Sequence, residues 1–131
     1  MIEFNSRLLA GAADLSVGQV VDSIHRLEGL AIASHVDRDA FGIIGQLGFI
    51  PEELPLDALE LSRLTPLDQA GRRFPEYSGR AFIRSSDAHF TDDIGMAPTW
   101  FLLDGATVSE IRKAFCGADG RQVFTWGGTQ A

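Results

Sequence analysis

Lysine is almost missing from this chain: of eleven basic residues only Lys113 is a lysine, and the formal net charge is −7 over 131 residues. A broad cationic face of the kind that neutralises nucleic-acid phosphates is thereby argued against. Cysteine occurs once, at Cys116, which excludes an internal disulfide and a cysteine-ligated zinc site. At the end of a predicted helix, Cys116 is expected to be a small buried hydrophobe. No apolar run approaches the length of a membrane span. The opening MIEFNSRLLAGAADLS has no cationic start followed by an apolar block, so no secretory leader is read there. The expectation is a cytoplasmic protein, soluble in water. Histidine is scarce too, with only His25, His35 and His89.

What is present suits one globular domain over residues 1–131, with 45% hydrophobic and 22% charged residues. Because nearly all the cations are arginine, a small local site for phosphate or carboxylate remains compatible with the acidic balance.

Apolar periodicity marks the elements. In SVGQVVDSIHRLEG, Val17, Val20, Val21, Ile24 and Leu27 recur at helical spacing, with Ser16 and Gln19 as a capping box and Gly29 as the left-handed stop. LAIAS is too brief for a helix and reads as a buried strand ending at His35. FGIIGQLGFI reads as a short helix with a loop, and ALELS as another buried strand. A helix is predicted over TPLDQAGRRF, with Thr65 as its N-cap and Pro66 at its first position. AFIRSS reads as a strand, and WFLLD as a further one. TVSEIRKAFCG is read as a helix capped by Thr107 and Glu110 and stopped at Gly117, and VFTW as a closing strand. Strand and helix alternate, which predicts an α/β fold: a partial, barrel-like layer of mostly parallel strands.

In such sheets ligands sit at the carboxyl ends of strands, and His35, Asp87 and His89 fall there. Imidazole and carboxylate suit zinc, manganese or iron, and two His with one Asp leave coordination positions open. Asp87 could instead cap a turn, and His89 could bond to backbone. Arg38, three residues after His35, and Arg84 flank these stretches as candidate phosphate-binding residues. His25 reads as a surface residue, Asp92 and Asp93 as turn caps, and Glu60 as a salt-bridge partner within its strand. Arg72 and Arg73 read as exposed ion-pairing residues, while Phe82, Trp100, Phe101, Phe115 and Phe124 are assigned to the core.

The ordered segments GLAIASHVDR, DALELS and FIRSSDAHFTDDIG resemble the C-terminal half of the PHP family, the polymerase and histidinol phosphatase domain. The resemblance runs from about Asp14 to Gly117. It implies a distorted seven-stranded β/α barrel whose strand ends hold divalent metals and hydrolyse phosphate esters. His35 looks like the family's late histidine ligand, and Asp87 and His89 like its final Asp-x-His pair. Arg38 is similar in position to an arginine that contacts substrate phosphate in the nucleotide-phosphatase branch, although Val36 stands where that branch has proline. The family's His-x-His strand has no counterpart before His35. Three side chains cannot hold a two- or three-metal cluster that clamps attacking and leaving oxygens. The expectation is therefore the C-terminal part of a metal-dependent phosphoesterase, weak or inactive alone, that takes a small phosphorylated substrate. Its bare sheet edges would invite self-association or a complementing N-terminal half. The competing expectation is a non-catalytic module that binds a phosphorylated ligand through Arg38 and Arg84.

Overall fold

The computed structural model describes residues 13–124. Helix α1, Val17–Arg26, begins as its sequence predicts: Gln19 N–H donates to Ser16 Oγ at 3.2 Å, and Ser16 N–H to Gln19 Oε1 at 2.8 Å. Its exit differs by one residue. Glu28, not Gly29, takes the left-handed conformation (φ 59°), and the amides of Glu28 and Gly29 return to the carbonyls of His25 and Ile24. That is a Schellman closure. Gly29 still suits its place, because a Cβ there would stand 3.0 Å from Ile24 Cγ2 and 3.2 Å from the Ile24 carbonyl oxygen, a tight approach.

Strand β1 is only Ile32–Ala33, α2 is Ile43–Leu47, β2 is Ala58–Leu61 and β3 is Phe82–Arg84. The three strands form a parallel sheet in the order β1-β2-β3, with Ile32 opposite Ala58 and Leu59 opposite Phe82. The central strand carries the core. Leu59 and Leu61 are fully buried, each contributing about 1.5–3 kcal/mol. Val21 of α1, Val36, Phe74 and Phe82 pack into the same cluster.

The coarse α/β class is the one expected, but the layer is less parallel than the alternation of elements suggested. Strand β4, Trp100–Leu102, pairs antiparallel with β5, Gln122–Phe124, as a separate two-stranded sheet, and no closed barrel forms among the described residues. Between β3 and β4 lies a short 3₁₀ turn, Thr91–Asp93, instead of the helix that usually covers a parallel crossover. Thr99 then occupies the backbone of Arg84 where a fourth parallel strand would pair. Its hydroxyl accepts from Arg84 N–H at 2.7 Å and donates to Arg84 C=O at 2.6 Å.

Other expectations shift for local reasons. TPLDQAGRRF forms a 3₁₀ turn, Leu67–Gln69, running into a short α3, Ala70–Arg73, and the Thr65 hydroxyl donates to Asp37 instead of capping. Helix α4, Val108–Phe115, is capped by Thr107 Oγ1, while the Glu110 carboxylate turns to the Asp104 amide and to Arg121. Trp100 is substantially exposed and Cys116 is exposed, against the core positions expected of them. The last two residues of VFTW lie outside the described residues. No helix among the described residues is long and apolar enough to cross a membrane.

Candidate functional site

The site grows from the segments that follow the carboxyl ends of β1 and β3. Just beyond β1 the chain turns at His35 (φ 44°), and beyond β3 Asp87 (φ 48°) also stands in the left-handed region that side chains normally avoid. After the first turn, Val36 N–H donates to the Glu60 carbonyl at 2.9 Å. That bond lays the loop back along β2 and sets the His35 ring beside the Glu60 side chain.

His35 lies between two carboxylates. Its Nε2 lies 3.5 Å from Asp87 Oδ2, and its Nδ1 lies 3.2 Å from Glu60 Oε1. The Nδ1 approach is close but off-line: this buried nitrogen makes no aligned hydrogen bond. Glu60 Oε1 accepts from the Ser85 hydroxyl at 2.5 Å. On the other side, Arg38 donates through Nη1 to Asp87 Oδ2 at 3.0 Å. Sequence separations of 49 and 52 residues are thus closed by strand ends.

The remaining candidates are placed differently. His89 is exposed, its Nδ1 lies 2.8 Å from the Asp87 carbonyl oxygen, and its amide donates to Asp93. Asp93 caps this turn through the amides of His89 and Phe90 and pairs with Arg63. The His89 amide and Phe90 amide, with Arg63, outweigh desolvation and hold its carboxyl below the usual carboxylate range. Arg84 does not join Arg38: its Nη2 donates to the Arg63 carbonyl at 2.7 Å, and its buried Nε has no partner. The structure therefore brings His35, Asp87 and Arg38 together and leaves His89 and Arg84 at the margin.

A divalent ion fits part of this set. Ligands about 2.1 Å from a tetrahedral ion stand about 3.4 Å apart, and His35 Nε2 and Asp87 Oδ2 are separated by 3.5 Å. Glu60, at the opposite ring nitrogen, cannot share that point with them. Among the described residues no three His, Cys, Asp or Glu side chains converge on one position.

Glu60 is an ion-pair partner as its sequence suggested, although the identity of that partner, His35, was not read, and the surroundings of Asp37 were missed altogether. Glu60 had a signal, being the one charge inside an otherwise buried strand. Asp37 receives the Ser62 amide, the Ser62 hydroxyl and the Thr65 hydroxyl at 2.6–2.7 Å, and Arg73 reaches Thr65 and the Asp37 carbonyl. This network ties the loop after His35 to the end of β2; Arg73 is exposed as expected, but it donates to a hydroxyl and a carbonyl here.

No protein family, curated protein or solved structure compared with the chain matches it.

Proposed function

We propose that the chain is the C-terminal part of a PHP-type, metal-dependent phosphoesterase acting on a small phosphorylated substrate in the cytoplasm. His35 and Asp87 are its inner metal ligands, and His89 is a third that must leave the Asp87 carbonyl to join them. The observation that supports this most is the 3.5 Å approach of His35 Nε2 to Asp87 Oδ2 at the carboxyl ends of two parallel strands. A bound divalent ion (zinc, manganese or iron) would supply Lewis-acid polarisation of a phosphoryl oxygen. Arg38, beside Asp87, would turn its fork to the substrate phosphate once the ion took over Asp87's charge.

In this reading the three parallel strands are part of a distorted barrel. β1 stands at the sheet edge, and Val17, Val20, Phe41 and Leu47 near it are exposed. A complementing half or a second copy would cover such an edge.

The test is metal content by elemental mass spectrometry on untagged, chelator-free protein, followed by hydrolysis of para-nitrophenyl phosphate. About one transition metal per chain, lost in His35→Ala, is the expected result. Protein that takes up no metal after dialysis against zinc or manganese would overturn the reading. The second reading, a non-catalytic phosphate-ligand module, is favoured by the Arg38–Asp87 ion pair, which already neutralises the carboxylate. It requires phosphate binding that persists in chelator and is lost in Arg38→Ala.

A further inference from the structure

We infer that Glu60 is a positioning residue that fixes the proton of His35 on Nδ1 and so aims the Nε2 lone pair at the Asp87 side. The inference rests on the phosphoesterase reading for its purpose, since it concerns how a proposed ligand is oriented, but its geometry stands independently.

Glu60 occupies the interior of β2, where its neighbours Leu59 and Leu61 are fully buried, and its side chain is itself 12% exposed. A charge in that position needs partners. Ser85, beyond the end of β3, provides one by donating its hydroxyl to Oε1 at 2.5 Å. An ionised carboxylate has no proton to give, so any hydrogen bond between Oε1 and His35 Nδ1, 3.2 Å away, must be donated by the imidazole. Two carboxylates compete for the one proton of a neutral ring: Asp87 Oδ2 stands 3.5 Å from Nε2 and already accepts from Arg38, whereas Glu60 Oε1 stands 3.2 Å from Nδ1, a buried nitrogen with no other partner, so Glu60 has the stronger claim. A neutral ring with its proton on Nδ1 has its free pair on Nε2, the atom that faces Asp87.

Metal-binding imidazoles commonly donate their second N–H to a carboxylate, which sets the tautomer and raises basicity. Here the chain Ser85 to Glu60, with His35 donating from the other side, has that form. The contact is off-line as it stands. Hydrogen bonds of this kind are often loose in the unliganded state and tighten on binding. The main chain enforces the pairing: Val36 N–H holds the Glu60 carbonyl, and the parallel register sets Glu60 opposite Ile83, two residues before Ser85.

Imidazole ¹⁵N–¹H NMR of the full chain at pH 8 tests the inference. In the wild type, His35 is expected to show a proton on Nδ1. In Glu60→Ala the proton should move to Nε2, toward Asp87, whereas Glu60→Gln should retain Nδ1–H because its amide oxygen still accepts. Zinc affinity, measured by chelator competition, should fall about 10- to 100-fold in Glu60→Ala and recover in Glu60→Gln. A role in packing alone would leave the tautomer unmoved in Glu60→Ala, which overturns the inference. So does a wild-type His35 protonated on Nε2 only, a result that depends on no variant folding. Nδ1–H in a chain that takes up no metal supports Glu60's role while removing the phosphoesterase reading.

Discussion

Two histidine–carboxylate pairs sit at opposite ends of the parallel sheet, and they are built differently. At the end where β2 begins, His25 Nε2 meets Asp57 Oδ2 at 2.8 Å, and the same carboxylate accepts the Ala31 amide at 2.7 Å and Arg112 Nε at 3.4 Å. Arg112 goes on to the Gly29 carbonyl at 2.6 Å. His25 lies on a regular helix, so this pair is saturated and relaxed; it is a clasp between α1, β1, β2 and α4. It also corrects the surface reading of His25. At the other end His35 and Asp87 both occupy left-handed backbone, and His35 Nδ1 has no aligned partner. Each such residue costs about 1–2 kcal/mol, less for Asp. Glu28, whose carbonyl accepts from Arg112 beside the clasp, is left-handed too, so backbone strain does not separate the two ends. Unmet hydrogen bonding does, because the buried side-chain nitrogens without a partner among the described residues, His35 Nδ1 and Arg84 Nε, both lie at the carboxyl ends of the strands.

The sharpest way to break that comparison is to remove each carboxylate. Asp57→Ala leaves the buried Ala31 amide, His25 and Arg112 without their acceptor. We expect a loss of about 2–4 kcal/mol in urea unfolding. A loss below about 1 kcal/mol, the scale of an exposed ion pair, would mean that the clasp is ornamental and the two ends are not distinct.

Asp87→Gly tests the other end. It removes the partly exposed ion pair with Arg38 and, at the same time, relieves a side chain held at φ 48°. Those effects oppose, so stability should stay within about 1 kcal/mol of wild type, while the metal uptake proposed for this site should disappear. A loss as large as that of Asp57→Ala would make Asp87 a structural residue.

Much of this was legible before any coordinates. The start of α1 was, because Ser16 and Gln19 act within one turn. The meeting of His35 and Asp87 was also legible, because both end strands and parallel strands bring such ends to one edge. Glu60's partnership was only half visible: its charge within ALEL signalled a pair, but which pair depends on register and on the turn at His35, neither of which is local. Strand direction was hidden as well. WFLLD looks the same whether it joins the parallel layer or turns back against β5, and the Thr99 hydroxyl that closes the β3 edge gives no pattern. Thr65 and Glu110 had good capping positions, yet tertiary partners claimed both side chains.

Acid sensitivity gives the smallest and finest test, and it concerns the saturated class. Glu110 receives Arg121 at 2.6 Å, Lys113 at 2.9 Å and the Asp104 amide at 3.0 Å, and these, led by the Arg121 hydrogen bond, hold its carboxyl at about 2 instead of the ordinary 4.5. Asp37 moves the same way: burial pushes it up, but hydrogen bonds from Thr65 and Ser62 outweigh burial and lower it. A folded pKa below the unfolded one means that the unfolded chain binds more protons between the two values. The resulting stability is complete above pH 4.5 and fades as pH falls toward 2. Glu110→Gln removes one such carboxylate, so its unfolding midpoint in urea should lie below wild type at pH 6. The two should converge near pH 2. Parallel curves over that range would mean that Arg121 and Lys113 hold Glu110 no better in the folded chain than in the unfolded one, and Glu110 would leave the saturated class that Asp57 defines.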